Sequence, residues 1–115
     1  MNSYITCFYN VEYIDKEVSE DKIKQYFSVG KEALALAKEK GVNKEKEQQG
    51  ETILDMAQRY IEDAEWFYEK GDVVNAFAAL NYAHGWLDCG ARLDILRVKD
   101  SRLFTTDDVE GLGTS

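Results

Sequence analysis

The chain has 115 residues, which predicts one domain, and 44% of them are hydrophobic, which is too many for a disordered chain. It contains no proline, whereas an all-β sandwich usually carries proline and glycine at its turns. The formal net charge of −8 disfavours nucleic acid as a partner, because binding phosphate needs clustered lysine and arginine. No apolar run is long enough to span a membrane and no signal-peptide pattern is present, so we expect a cytoplasmic protein.

The cysteine and histidine content argues against a metal site. Cys7 and Cys89 do not form a CxxC pair, and His84 is the only histidine. Di-iron bundles use Glu-x-x-His pairs on two helices, and here Asn81 stands three residues before His84. We therefore predict no metal and no cofactor, and we expect free thiols in a reducing compartment.

Residues 1–18 form an aromatic extension ahead of the first predicted helix. Alternating apolar residues favour a strand, but Tyr4, Phe8 and Val11 also share one face of a short helix. Both conformations are open at this point. The stretch is too aromatic for a passive tail.

The first predicted helix runs from about Glu20 to Lys40. Ser19 is a good N-cap, and Gly41 is a good stop after the lysines of the last turn. Apolar residues recur on one face at a period near 3.6, which is typical of an amphipathic helix. Gly30 lies on that face, which indicates close approach of another backbone.

The second predicted helix ends at Lys70 and begins at either Lys44 or Glu51. Its start is ambiguous because the stretch between these two residues is polar and contains Gly50. One face is apolar and the opposite face is acidic. Trp66 lies on the charged side, where it is either a binding residue, an ordinary isolated apolar residue, or a residue covered by the extension.

The third predicted helix has Asp72 as its N-cap and continues to about Leu96 or Lys99. No residue from Val73 to Leu87 carries a formal charge apart from the histidine, so the helix is apolar around its circumference. Such a helix is normally buried on all sides, which two neighbouring helices cannot achieve. We therefore expect residues 1–18 or another chain to cover its outer face, which consists of Ala78, Tyr82, Gly85 and Cys89.

These elements predict an all-α fold. It is a three-helix up-and-down antiparallel bundle over residues 19–99, with the aromatic N-terminal extension, residues 1–18, before it. Residues 100–115 are predicted to form an acidic C-terminal tail.

Two stretches of the chain resemble the archaeal domain-of-unknown-function 357 family. They are MAxxYxxDAxxFxxxGD, which starts at Met56, and YAHGWLD, which starts at Tyr82. The resemblance covers roughly residues 20–105 and implies a small three-helix up-and-down bundle in an archaeal cytoplasm. It implies no activity, because the family is uncharacterised. The chain departs from the pattern in its N-terminal extension and at Asp94, where a glycine is expected after ARL.

Three polar residues on one flank of the third helix are candidates for chemistry. His84 and Asp88 are four residues apart, and Arg92 follows one turn later. A carboxylate beside an imidazole orients it for general acid–base catalysis. The same spacing also favours an ordinary ladder of polar pairs at the edge of the core. No nucleophile motif or phosphate-binding loop accompanies them, so we predict no definite catalytic residue.

The predicted function is a non-enzymatic module for protein interaction or self-association through the third helix and residues 1–18. Gly85 either admits a partner helix, floors a shallow groove between Tyr82 and Trp86, or is a harmless helix glycine. The alternative function is an enzyme or small-ligand binder centred on His84, Asp88 and Arg92. The predicted binding residues are Asn81, Tyr82, His84, Gly85, Trp86, Asp88 and Cys89.

Overall fold

The all-α, three-helix prediction is confirmed. Helices α1 and α3 run parallel to each other, and both are antiparallel to α2, which gives an up-and-down bundle. None of the described helices is both long and apolar enough to cross a membrane. A computed structural model describes residues 16–100 and 103–104, with α1 at Glu20–Lys40, a 3-10 turn at Lys44–Lys46, α2 at Glu47–Glu69 and α3 at Val73–Arg92.

Both predicted ends of α1 are confirmed, and each has a local cause. The Ser19 hydroxyl accepts a hydrogen bond of 3.1 Å from the backbone N–H of Lys22, so it caps the first turn. At the other end, Gly41 has a φ of +84° and its N–H donates to the carbonyl of Ala37 at 3.0 Å. A left-handed glycine of this kind ends the helix.

Helix α2 starts between the two predicted positions, because Gly50 does not interrupt it. The side chain of Asn43 accepts a 3.0 Å hydrogen bond from the N–H of Glu45 and starts the 3-10 turn, from which the chain enters α2 at Glu47. Gly50 lies inside the helix and is buried, and a Cβ at this position would overlap the side chain of Val42. The absence of a side chain at Gly50 therefore lets Val42 of the α1–α2 connection pack against α2.

The predicted end of α3 at Leu96 or Lys99 is wrong, since the helix ends at Arg92. Asp94 takes up a left-handed φ of 61°, at the position where the family resemblance suggested a glycine. The N–H groups of Ile95 and Leu96 then both donate to the carbonyl of Gly90, at 2.9 and 3.0 Å. The chain reverses there instead of continuing as a helix.

The segment after α3 closes one end of the bundle. The N–H of Asn43 donates to the carbonyl of Ile95 at 2.8 Å, and the N–H of Arg97 donates to the carbonyl of Gly41 at 3.0 Å. These bonds flank an isolated antiparallel bridge between Val42 and Leu96. These two bonds pair four polar backbone groups where the helices end.

Eight of the 19 buried hydrophobic residues in the described part of the chain are alanines, which lets the helix backbones approach closely. A Cβ on Gly30 would lie 3.7 Å from Leu80 and 3.9 Å from Ile61, so α1 meets both other helices here. Leu103 and Phe104 are also buried, at 3% and 0% exposure, so the core includes two residues of the segment predicted as a tail. The buried alanines are Ala33, Ala37, Ala57, Ala64, Ala76, Ala79, Ala83 and Ala91.

Candidate functional site

The outer face of α3 is exposed among the described residues. Ala78, Gly85 and Cys89 are exposed, and Tyr82 is 51% exposed although it belongs to an apolar helix. The expected cover was by residues 1–18, and of these residues 1–15 lie outside the described residues. The described part of the molecule thus presents an apolar helix face to solvent, which is typical of contact surfaces.

A shallow depression runs along this face, and we call it the outer cleft. Its volume is about 280 Å³. A Cβ on Gly85 would meet nothing within 4 Å, which agrees with the shallow-groove alternative at that position. The cleft contains five of the predicted binding residues, and its lining is Asn81, Tyr82, Gly85, Trp86 and Cys89.

A second depression adjoins the outer cleft on the side of α2, and we call it the α2–α3 groove. Its volume is about 340 Å³, and Tyr82 is the residue that lines both depressions. The α2 wall consists of Tyr60, Asp63 and Phe67. The α3 wall is Asn75, Ala78, Ala79 and Tyr82.

The α2 wall was not predicted as part of a site. Tyr60 and Phe67 were consistent with the core face of α2, and Asp63 was one acidic residue among many. All three belong to the stretch that carries the family resemblance. The available signal was the combination of two aromatic residues and a carboxylate on neighbouring turns, but only the orientation of α2 against α3 shows that they face one groove.

Aromatic contacts hold Tyr82 between the two depressions. Its ring lies 4.6 Å from that of Tyr60 at an interplanar angle of 78°, and 6.2 Å from that of Trp86 at 85°. Edge-to-face pairs of this kind fix the orientation of a half-exposed side chain. The indole Nε1 of Trp86 is buried without a hydrogen-bond partner among the described residues.

The lining of the α2–α3 groove carries one negative charge and no positive charge. Asp63 is the only formally charged residue among those that line the groove or the outer cleft. The nearby Arg59 is engaged by Asp55, with 2.9 Å between Nε and Oδ2, and this carboxylate raises the pKa of the guanidinium. The ammonium of Lys70 lies over the ring of Trp66, 5.3 Å from its centroid.

His84 lies in a different environment from the predicted groove residues. It is 9% exposed, and its ring stacks on Phe104 with centroids 6.3 Å apart and an interplanar angle of 26°. Its Nε2 lies 3.6 Å from Oδ1 of Asp88. His84 lines neither the outer cleft nor the α2–α3 groove, and Arg92 is exposed at the end of α3.

A larger cavity, of about 480 Å³, lies where the α1–α2 connection meets the segment after α3. Its lining carries both signs of charge and consists of Asn43, Asp94, Arg97 and Lys99. The side chain of Asn43 already donates to the carbonyl of Asp94 at 3.2 Å, so this amide holds the turn together. Within residues 16–100 and 103–104, no three His, Cys, Asp or Glu side chains are grouped so as to hold a metal ion.

The chain was compared with family models, curated proteins and solved structures, and only the family models gave a match. No curated protein and no solved structure matches the chain. A family model described as "Protein of unknown function (DUF357)" matches residues 25–96, which include both stretches that carry the resemblance and the whole α2 wall of the groove. Because this match covers well over half of the chain, the protein belongs to the DUF357 family of proteins of unknown function.

Proposed function

We propose that the protein is a non-enzymatic protein-interaction module whose contact surface is the outer face of α3. The observation that carries the proposal is the exposure of this face, with Tyr82 half-exposed at its centre and exposed Gly85 and Cys89 beside it. Tyrosine and tryptophan supply much of the binding energy at protein interfaces, and charged residues are depleted there. The outer cleft has this composition.

The net charge of −8 supports a protein partner rather than a nucleic acid. The two cysteines form no disulfide pattern, which supports a cytoplasmic location. The contact is made either with a second copy of the chain or with a different protein.

The geometry favours this function over an enzyme or small-ligand site centred on His84, Asp88 and Arg92. A catalytic imidazole needs access to substrate, whereas His84 is 9% exposed and stacked on the buried ring of Phe104. Its position is suited to anchoring the segment after α3 against the bundle. The polar flank of α3 is therefore assigned a structural role in the proposal.

Site-specific photo-crosslinking tests the proposed function. A photoreactive residue at Asn81, which lines the outer cleft, is compared with the same residue at Glu39, which is exposed on α1 and lines neither depression. The expected result is an adduct with a second copy or with another protein from Asn81 only. Adding Gly85→Arg should abolish that adduct, since the large side chain would fill the cleft without disturbing the fold.

Two results would overturn the proposed function. One is a yield of intermolecular adducts from Asn81 no higher than that from Glu39. The other is an adduct from Asn81 to residues 1–15 of the same molecule, because the chain would then cover its own face. Sedimentation equilibrium separates the two supporting cases, since only self-association changes the mass of the purified protein with its concentration.

A further inference from the structure

We infer that the α2–α3 groove and the adjoining outer cleft receive a cationic amphipathic helix of a partner protein, with a lysine or arginine of that helix placed at Asp63. This inference rests on the proposed function and names the chemistry of the partner. It follows from the shape of the two depressions, from their charge and from their aromatic lining.

The shape fits a helix. The two depressions share Tyr82, so together they follow α3 from Asn75 to Cys89. At 1.5 Å per residue this is about 21 Å, or about four turns of a helix lying alongside. Small residues along the way, Ala78 and Gly85, keep the surface low enough for a second helix to approach. Binding an amphipathic helix in an apolar groove is a common mode of peptide recognition.

The charge selects a cationic helix. The α3 wall carries no formally charged residue, so the only charge that a bound helix meets within the lining is that of Asp63. Asp63 is exposed and forms no hydrogen bond or close ion pair among the described residues. The one cation within α2, Arg59, interacts electrostatically with Asp55, Glu62 and Asp63, so three carboxylates share one positive charge. Lys70, just after α2, lies over the ring of Trp66. An added positive charge is therefore attracted to the α2 edge of the groove.

The aromatic lining favours the same type of side chain. Asp63 lies in one groove with the rings of Tyr60, Phe67 and Tyr82. A carboxylate beside aromatic faces attracts an ammonium or guanidinium group both by charge and by cation–π interaction. An uncharged apolar helix would bring no positive charge to this carboxylate beyond that of Arg59, which Asp55 and Glu62 also share. An acidic helix would place two negative charges together.

A second copy of the chain and residues 1–15 of the same chain both match the charge of the groove less well than a basic helix does. A second copy would present the same face, with its own Asp63, on a chain whose formal net charge is −8. Residues 1–15 contain Glu12 and Asp15 and no lysine or arginine. Neither occupant is positively charged overall, so a different, basic partner segment is the occupant that the structure favours.

Peptide titrations of the full chain test the inference. The probe is a fluorescein-labelled amphipathic helix of leucine and lysine, long enough for about five helical turns, and its counterpart has glutamate in place of lysine. Binding is measured by fluorescence anisotropy. Asp63→Asn removes the charge in the groove, and Glu51→Gln removes one from an exposed position of the same helix about 18 Å away. Both variants change the net charge equally.

The lysine peptide should bind and the glutamate peptide should not. Asp63→Asn should weaken binding of the lysine peptide about threefold to fivefold, as expected for one exposed ion pair, and Glu51→Gln by less than about twofold. Tyr82→Ala, checked for folding by circular dichroism, should weaken it by about tenfold or more.

Several outcomes would overturn the inference. Equal weakening by Asp63→Asn and Glu51→Gln would show that the peptide senses only overall charge. Equal binding of the two peptides would show a groove that does not select charge, and absence of binding would show no groove for such a helix. If the protein forms a dimer and Gly85→Arg prevents it, the outer face of α3 binds a second copy of the chain. That result would support the proposed function and would contradict only the inference of a basic partner helix.

Discussion

The two glycines inside α3 predict opposite effects of the same substitution. In a helix interior, glycine is about 1 kcal/mol less favourable than alanine. At Gly85 a Cβ would meet nothing within 4 Å, so Gly85→Ala should gain most of that difference and raise the free energy of unfolding by about 0.5–1 kcal/mol.

At Gly90 the gain is opposed by a steric clash. The new Cβ would lie 2.9 Å from both Cγ and Cδ1 of Leu96, and 3.1 Å from Cδ1 of Ile53. Leu96 is 0% exposed and cannot swing aside, so overpacking should destabilise by about 1–3 kcal/mol. After subtraction of the helix propensity gain, Gly90→Ala should lower the free energy of unfolding by up to about 2 kcal/mol.

Urea denaturation followed by circular dichroism measures both variants. Gly30→Ala is the matched control, because its Cβ would make ordinary contacts at 3.7 and 3.9 Å and should not destabilise. Equal stability of the Gly85→Ala and Gly90→Ala proteins would contradict the packing of Leu96 against α3, and with it the observed end of that helix. A clear loss of stability in Gly85→Ala would mean that something occupies the outer cleft.

Three further substitutions test other parts of the structure. Phe104→Ala should lower the free energy of unfolding by about 3–5 kcal/mol in thermal or urea denaturation, since the ring is fully buried. A loss below about 1 kcal/mol would show that Phe104 does not pack in the core. Hydrogen bonds from the side chain and backbone of Asn75 lower the pKa of Asp72, so the stabilisation of the folded protein by this cap is present above the ordinary carboxyl pKa and is lost as the pH falls through the lowered pKa. Asp72→Asn should therefore make the free energy of unfolding depend less on pH in acid, and an unchanged dependence would contradict the cap. A hydrogen bond to Glu20 raises the pKa of Tyr68, so the stabilisation that this bond gives is present below the ordinary phenol pKa and is lost as the pH rises through the raised pKa. Tyr68→Phe should remove this loss of stability at alkaline pH, and a loss that persists in the variant would show that the Tyr68–Glu20 pair does not cause it.

Helix number, direction and most ends could be predicted because their causes are local. Ser19 and Asp72 cap the helices that follow them, and Gly41 and Gly71 take the left-handed conformation after the helices that precede them. Each of these signals lies within a few residues of the feature it determines. Periodicity was equally informative for the buried face of α1.

The end of α3 and the place of the final segment depend on long-range contacts. Asp94 adopts a left-handed conformation in a stretch that still reads as helix by composition, and Leu96 is held by Gly90 and by pairing with the α1–α2 connection. Phe104 is buried in the core, and the sequence before it shows no periodicity that would predict this. Such contacts have no signal in a single sequence.

The sequence predicted the α3 wall of the candidate site as a contact surface, but it did not predict the α2 wall. The α3 wall follows from the absence of charge around one helix, which the sequence shows directly. The α2 wall depends on how α2 is rotated about its axis when it packs against α3. That rotation places Tyr60, Asp63 and Phe67 at the groove, and it is set by the fit of many core side chains at once.

Accessibility of Cys89 tests most directly whether the outer face of α3 is the surface that receives a basic helix. In a Cys7→Ser variant, Cys89 is the remaining thiol, and it lines the outer cleft. Maleimide should modify it rapidly in the protein alone and several-fold more slowly when the lysine peptide is present at saturation. An unchanged rate under saturating peptide would contradict the account, because the peptide would then bind somewhere other than this face.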